Sequence, residues 1–313
     1  MALDKSVDRK DQKSSVRTIR YHLTTLFLFT KSDIKTVLIP QSAFALVLAF
    51  SKARAVLAPS VGNLDIVSRV PCMLVWMWLH LLVTTISNQR RAEDVIEDKE
   101  NKPWRPLPAA RLSLSEARSL LRIVAWVSLT ASLLFGGFVP GVTLMTLLWM
   151  YNDLGGSSAS VLERNLITTG GLTCYGWGAT EILLAGNMTP EGGRLLKNWV
   201  MLMGAMMATT VQAQDFPDTI GDAARGRRTV PVVYGSRIAR VSLAVPTAVW
   251  SLACPAFWKV GILAWSAPIA VGGMMAGLTL AQWNQRANEW VWRLWCLWQT
   301  TIYLMPLFSR ISE

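Results

Sequence analysis

The sequence predicts an all-α, polytopic membrane protein of about nine transmembrane helices. Three observations predict it. Of the 313 residues, 52% are hydrophobic and 16% charged, where an ordinary soluble domain carries about 25% charged residues. Apolar runs long enough to cross a bilayer recur to the end of the chain. The formal net charge of +11 collects at the ends of those runs, where it sets topology, and not in the patch or stripe of a nucleic-acid-binding surface. No nucleic-acid partner is expected, and no obligate protein partner is inferred.

The first 20 residues are polar and mixed in charge. They read as a flexible cytosolic arm ahead of one transmembrane domain over 21–313. No apolar run there adjoins a small-residue cleavage site, so no cleaved signal peptide is expected. Residues 16–31 suit a helix lying along the interface. Spans are expected near 34–53, 70–88, 119–138, 139–152, 166–186, 197–214, 241–258, 260–282 and 287–308. A tight turn, Gly136-Gly137-Phe138-Val139-Pro140-Gly141, is all that separates the third from the fourth. Pro40, Pro71, Pro246, Pro255 and Pro268 fall within spans, which tolerate and kink at proline. Cys72, Cys174, Cys254 and Cys296 are scattered through apolar stretches without a CxxC spacing, and read as buried small hydrophobes.

Charge orients the bundle. The segment after the second span carries Arg90, Arg91, Lys99, Lys102, Arg105 and Arg111, and the one after the sixth carries Arg225, Arg227, Arg228, Arg237 and Arg240. The opposite loops hold fewer bases, such as Lys52, Arg54, Arg194, Lys197 and Lys259. By the positive-inside rule both rich loops face the cytosol. The endoplasmic reticulum is the candidate membrane.

Chemistry concentrates in residues 214–231, QDFPDTIGDAARGRRTVP. Asp215, Asp218 and Asp222 stand at i, i+3 and i+7, one face of a helix. Carboxylates crowded this way repel one another unless a cation sits among them. Mg²⁺ takes oxygen ligands and is commonly shared with phosphate groups. Arg227 and Arg228 follow, suited to gripping the same anion. The alternative, a solvated acidic helix end, sits poorly at the close of a long apolar run.

A second constellation follows the second span. Asp94 and Asp98 are spaced i, i+4, with Asn88 and Gln89 shortly before and the basic, proline-rich loop from Lys102 to Pro108 after,. Acids, then bases, then a new span is the order seen at the later site. It suggests a pseudo-repeat whose two acidic clusters face each other over one cavity.

The two motifs resemble those of the UbiA superfamily of intramembrane prenyltransferases. Its D-x-x-D-x-x-x-D is Asp215, Asp218 and Asp222. Asp94 and Asp98 match the D-x-x-x-D end of its first motif, and Asn101 to Pro108 resembles its N-x-P-x-R-P-x-P tail. Asn88-Gln89 stands about two residues too far upstream, and Arg91 occupies the place of the first acid. The resemblance implies a helical bundle around a central cavity open to lipid. It implies a prenyl diphosphate substrate, geranylgeranyl or farnesyl, held through two or more Mg²⁺ ions by Asp94, Asp98, Asp215, Asp218 and Asp222. Asn88, Lys102, Arg105, Tyr151, Asn165, Arg227 and Arg228 are the expected substrate contacts.

The family captures the allylic cation in two ways, on an acceptor or on the chain's own double bonds. The region from Asn88-Gln89 to Pro106 is similar to that of fungal UbiA-type terpene cyclases. After Tyr151 there is no base until Arg164, where many transferases place one sooner. Both favour a cyclase over a transferase acting on an aromatic or quinone-precursor acceptor. A transporter is the remaining alternative, and it calls for mid-membrane charges that the spans barely supply beyond Glu181 and Arg293. His80 reads as a hydrogen-bonded structural histidine, and Trp290, Trp292, Trp295 and Trp298 as an anchoring or lipid-facing belt.

Overall fold

The computed structural model describes residues 17–224, 226–281 and 284–310. The arm expected over 1–20 lies outside the described residues up to position 16, and Ile19 and Arg20 already belong to the first helix. Every regular element among the described residues is helical.

The chain opens with α1 (Ile19–Thr30), capped by the Thr18 side chain accepting from the Tyr21 N–H,. A π-helical turn, Ile34–Leu38, leads into α2 (Ile39–Phe50), and this joined segment is bent by 57° from α1. The short α3 (Arg54–Leu57) precedes α4 (Asn63–Ser87), against which α1 also packs. Then come α5 (Ala92–Asn101), α6 (Leu114–Phe135) and α7 (Phe138–Asn152). Gly136 and Gly137, at φ 101° and 74°, make the turn between α6 and α7 in a backbone region that side chains avoid,. Next are α8 (Gly156–Ala159), α9 (Val161–Leu183) and α10 (Pro190–Thr210). A 3₁₀ turn, Val211–Gln214, runs straight into α11 (Asp215–Ala224), followed by α12 (Val230–Phe257), α13 (Ile262–Ala281) and α14 (Gln285–Tyr303).

Each expected span falls on one of α2, α4, α6, α7, α9, α10, α12, α13 and α14. Length and hydropathy alone mark fewer of them. Among the described residues, α4, α6, α12 and α13 are long and apolar enough to cross a membrane, with the bent α1–α2 pair as a fifth. α9 is not among them, and it carries the buried polar groups Arg164, Asn165, Thr169 and Thr180. In a membrane bundle such groups are expensive and mark functional interiors. Outward faces are apolar: Ile123, Trp126, Val127 and Leu134 on α6, and Val241, Val245 and Val249 on α12, are all exposed. Faces of that kind belong in hydrocarbon, and the chain is an integral membrane protein.

Inside lipid, helices associate through close packing and hydrogen bonds. Trp76 of α4 lies fully buried against Gly178 of α9, and its Nε1 donates to Ser132 Oγ on α6 at 2.8 Å. Tyr303 receives hydrogen bonds at its hydroxyl from Gln41 at 3.1 Å and Gln299 at 2.6 Å. Beside it a cavity of about 10 Å³, lined by Gln41, Thr173, Gly176, Met203, Met207 and Tyr303, has room for a single water,. The tryptophan belt expected on α14 is split. Trp290 is exposed, but Trp295 and Trp298 are buried and donate to Thr210 and Ser251 at 3.0 and 2.9 Å. Val291, Trp295, Trp298 and Ile302 follow helical spacing and form the core stripe, which a reading by residue type overlooked,.

Candidate active site

α4 ends at Ser87, and residues 88–91 turn the chain into α5. Asp94 sits in the first turn of α5, where the helix dipole favours an anion,. Asp94 and Asp98 are both buried. Arg91 Nε reaches Asp94 Oδ2 at 3.4 Å, and Arg105 Nη1 donates to both oxygens of Asp98 at 2.7 and 2.8 Å. Arg105 also donates to Ser32 Oγ at 3.3 Å, and the Lys31 ammonium stands 4.7 Å over the Trp104 ring. Tyr21 closes the strap with a 2.8 Å hydrogen bond to the Arg111 carbonyl. The basic loop is thereby fastened to α1.

The second motif opens α11. Asp215 is 1% exposed and receives a fork from Arg164 on α9, Nη1 to Oδ2 at 3.1 Å and Nη2 to Oδ1 at 2.8 Å. Burial pushes the Asp215 carboxyl up to about 6 against the pull of Arg164,. Removing one partner of such a buried pair costs about 3–5 kcal/mol, where an exposed pair is worth about 0–1. Asp222 is also buried; Arg227 reaches its Oδ1 at 3.3 Å, and its Oδ2 has no hydrogen-bond partner. Asp218 is exposed. Seven residues bring Asp222 back to within about 20° of Asp215 around the helix, while three leave Asp218 about 60° away.

α11 is held from behind. Gln285 and Asn288 of α14 donate to the Pro217 and Phe216 carbonyls at 2.9 and 3.2 Å. Arg240, expected only to set topology, is buried and bonds the Thr279 carbonyl and Asn288 Oδ1 at 3.0 and 2.8 Å. Its guanidinium lies 5.0 Å from the Phe216 ring.

The segment from 151 to 165 bridges the two motifs at one end of the bundle. Asn152 Nδ2 donates to Asn88 Oδ1 at 2.8 Å, its carbonyl accepts from Arg91 at 3.0 Å, and Asp153 takes both oxygens to Arg90 at 2.6 and 2.8 Å. At the other end of the segment Arg164 grips Asp215, and the Ala159 carbonyl accepts from Arg228 at 3.4 Å. Of the expected substrate contacts, Asn88 and Arg228 are exposed, while Lys102, Arg105, Tyr151 and Arg227 are half-buried. Asn165 is buried with its Oδ1 unpartnered. Sequence reasoning missed Arg164, Asn152 and Asp153. The available signal was a base and its neighbour Asn165 at the very start of an apolar span, and an Asn-Asp pair ending another.

The donor chemistry suits Mg²⁺: buried carboxylates, with Asp222 Oδ2 lacking any partner,. The acids do not stand as a ready-made cage, for among the described residues no three His, Cys, Asp or Glu side chains gather closely enough to hold an ion. Asp94, Asp98, Asp215 and Asp222 are each engaged by an arginine.

Residues 42–299 match the model of the UbiA prenyltransferase family. The chain belongs to that family. It is a prenyl-diphosphate-consuming enzyme of the terpene synthase or prenyltransferase kind. It is 32% identical over 294 residues to fumagillin beta-trans-bergamotene synthase of Aspergillus fumigatus, covering 92% of this chain and 93% of that one. Identity to somaliensene A/B synthase of Streptomyces somaliensis is 30% over 309 residues, 94% and 95% of the two chains. A UbiA homolog from Archaeoglobus fulgidus, solved bound to DMAPP and Mg²⁺, shares the fold with a TM-score of 0.64 at 13% identity, over 89% of this chain and 99% of that one.

Proposed function

We propose that this UbiA-family enzyme is a magnesium-dependent terpene cyclase that ionises farnesyl or geranylgeranyl diphosphate between its two acidic motifs. The observation that carries the reading is the likeness, over more than nine-tenths of the chain, to two terpene synthases. The gathering of buried carboxylates and arginines at one end of an apolar bundle supports it. Residues 21–313 act as one catalytic domain, with that end toward the cytosol and the endoplasmic reticulum as its membrane.

Asp94, Asp98, Asp215, Asp218 and Asp222 would hold Mg²⁺, which when bound neutralises charge developing on the departing diphosphate. Arg105, Arg227, Arg228 and Lys102 add fixed positive charge on the same side, where a low-dielectric surrounding magnifies it. Asn88, Tyr151 and Asn165 position the substrate's polar end. The C–O bond breaks with both electrons leaving on diphosphate, and the allylic cation remains in the apolar interior. Excluding water keeps it from capture as an alcohol. A double bond of the same chain then supplies its π pair to form the ring bond, and loss of a proton ends the sequence.

The test is purified protein in detergent with Mg²⁺ and each diphosphate. Release of diphosphate together with a cyclic hydrocarbon is expected. Turnover only after an aromatic acceptor is added would make the enzyme a transferase, and no turnover with any prenyl diphosphate would sink both enzyme readings.

A further inference from the structure

Building on that reading of the two motifs, we propose that Arg164 is a diphosphate-binding residue masked by Asp215, an exchange that makes metal and diphosphate bind as one event. Arg164 sits in the first turn of α9 and is 5% exposed. Two of its nitrogens fork onto the two Asp215 oxygens. Its third, Nε, is buried with no partner, and Oδ1 of Asn165, the following residue, and Oδ2 of Asp222 are buried without partners too. Unmade hydrogen bonds in a buried site are costly, and the unpartnered donor and acceptors here are of the kinds that an anion and a hard cation satisfy.

The logic is one of charge. A divalent cation arriving alone meets an Asp215 already neutralised, and taking it strands the guanidinium in a buried site. A diphosphate arriving alone meets a guanidinium already paired, and taking it strands the carboxylate. When both arrive, the cation takes Asp215 and the diphosphate takes the Arg164 fork, the planar geometry that arginine offers phosphate. Each half of the pair exchanges one partner for another, and no buried charge is left alone.

Mn²⁺ binding to the full chain in detergent, followed by its EPR signal, tests this with and without farnesyl thiolodiphosphate, a poorly ionising analogue. In the unaltered protein the analogue should tighten Mn²⁺ roughly 5–150-fold, the usual range of coupling between sites. Equal Mn²⁺ affinity with and without it overturns the exchange while leaving the metal reading intact. Absence of Mn²⁺ binding in both conditions removes the metal reading itself, and the exchange with it. In Arg164→Gln, Mn²⁺ alone should bind tighter than in the unaltered protein and the coupling should shrink toward unity. Undiminished coupling in the folded variant overturns the proposal. If Arg164→Gln does not fold, Asp215→Asn makes the reciprocal test: the analogue alone should bind tighter, and unchanged affinity counts against the exchange.

Discussion

Arg240 of α12 donates from Nη2 to Asn288 Oδ1 of α14 at 2.8 Å, and Asn288 in turn donates to the Phe216 carbonyl of α11 at 3.2 Å. α12 and α14 therefore fix the helix that carries the second acidic motif, while Arg164 of α9 grips its Asp215.

Arg240→Ala should accordingly lower stability by about 2–4 kcal/mol, since it removes charged hydrogen bonds to Asn288 Oδ1 and the Thr279 carbonyl,. Thermal unfolding in detergent reads the loss. Arg240→Lys should recover only part, because an ammonium cannot reach Ser236, Thr279 and Asn288 together as the guanidinium does,. A fully stable Arg240→Ala protein would mean that the bracket is idle.

Gly178 is the closest approach in the core. A Cβ added there would stand 2.3 Å from Trp76 Cη2. Gly178→Ala should cost about 1–3 kcal/mol by overpacking. Pairing it with Trp76→Phe should restore part of that, and the double-mutant cycle measures the coupling. Strict additivity would place the clash elsewhere.

Removing Asp94 or Asp222, whose arginine partners are partly exposed, should stop the chemistry and spare the fold. Asp94→Asn and Asp222→Asn are expected to reduce turnover at least about a hundredfold, the scale of losing one electrostatic contact to developing charge. Normal size-exclusion profiles and unfolding temperatures would accompany the loss. Near-normal rates in both variants would refute a site built from two clusters.

His80 is buried, its Nδ1 lies 2.8 Å from the Trp76 carbonyl, and its ring packs 4.1 Å from that of Trp76. These contacts account for a structural role. His80→Ala should lower the unfolding temperature and leave the ratio of products unchanged. A new product spectrum at unaltered stability would instead make His80 the base that ends the cyclisation.

Much of this was legible in the sequence because membranes impose strict patterns. The glycine pair at 136–137, the apolar runs and the acid spacings all follow from local rules, and each has its counterpart in a helix or turn. Arg164 and Arg240 were not legible as contacts. A base beside an apolar run satisfies the topology rule whether it faces water or a buried carboxylate far along the chain, and only the fold decides which. Trp295 and Trp298 failed for the same reason: residue type suggested the membrane interface, while the inward face of α14 turned both into the core.

The arginine clasps also bear on how the family can diversify. Asp98 with Arg105 and Asp215 with Arg164 are joined through both carboxylate oxygens. A lineage that loses one member keeps a stranded charge, so substitutions at these positions should travel as couples. Related chains in which an acid has drifted would be expected to have shed its arginine as well, an inheritance pattern that the apolar faces of the helices, free to vary residue by residue, need not share.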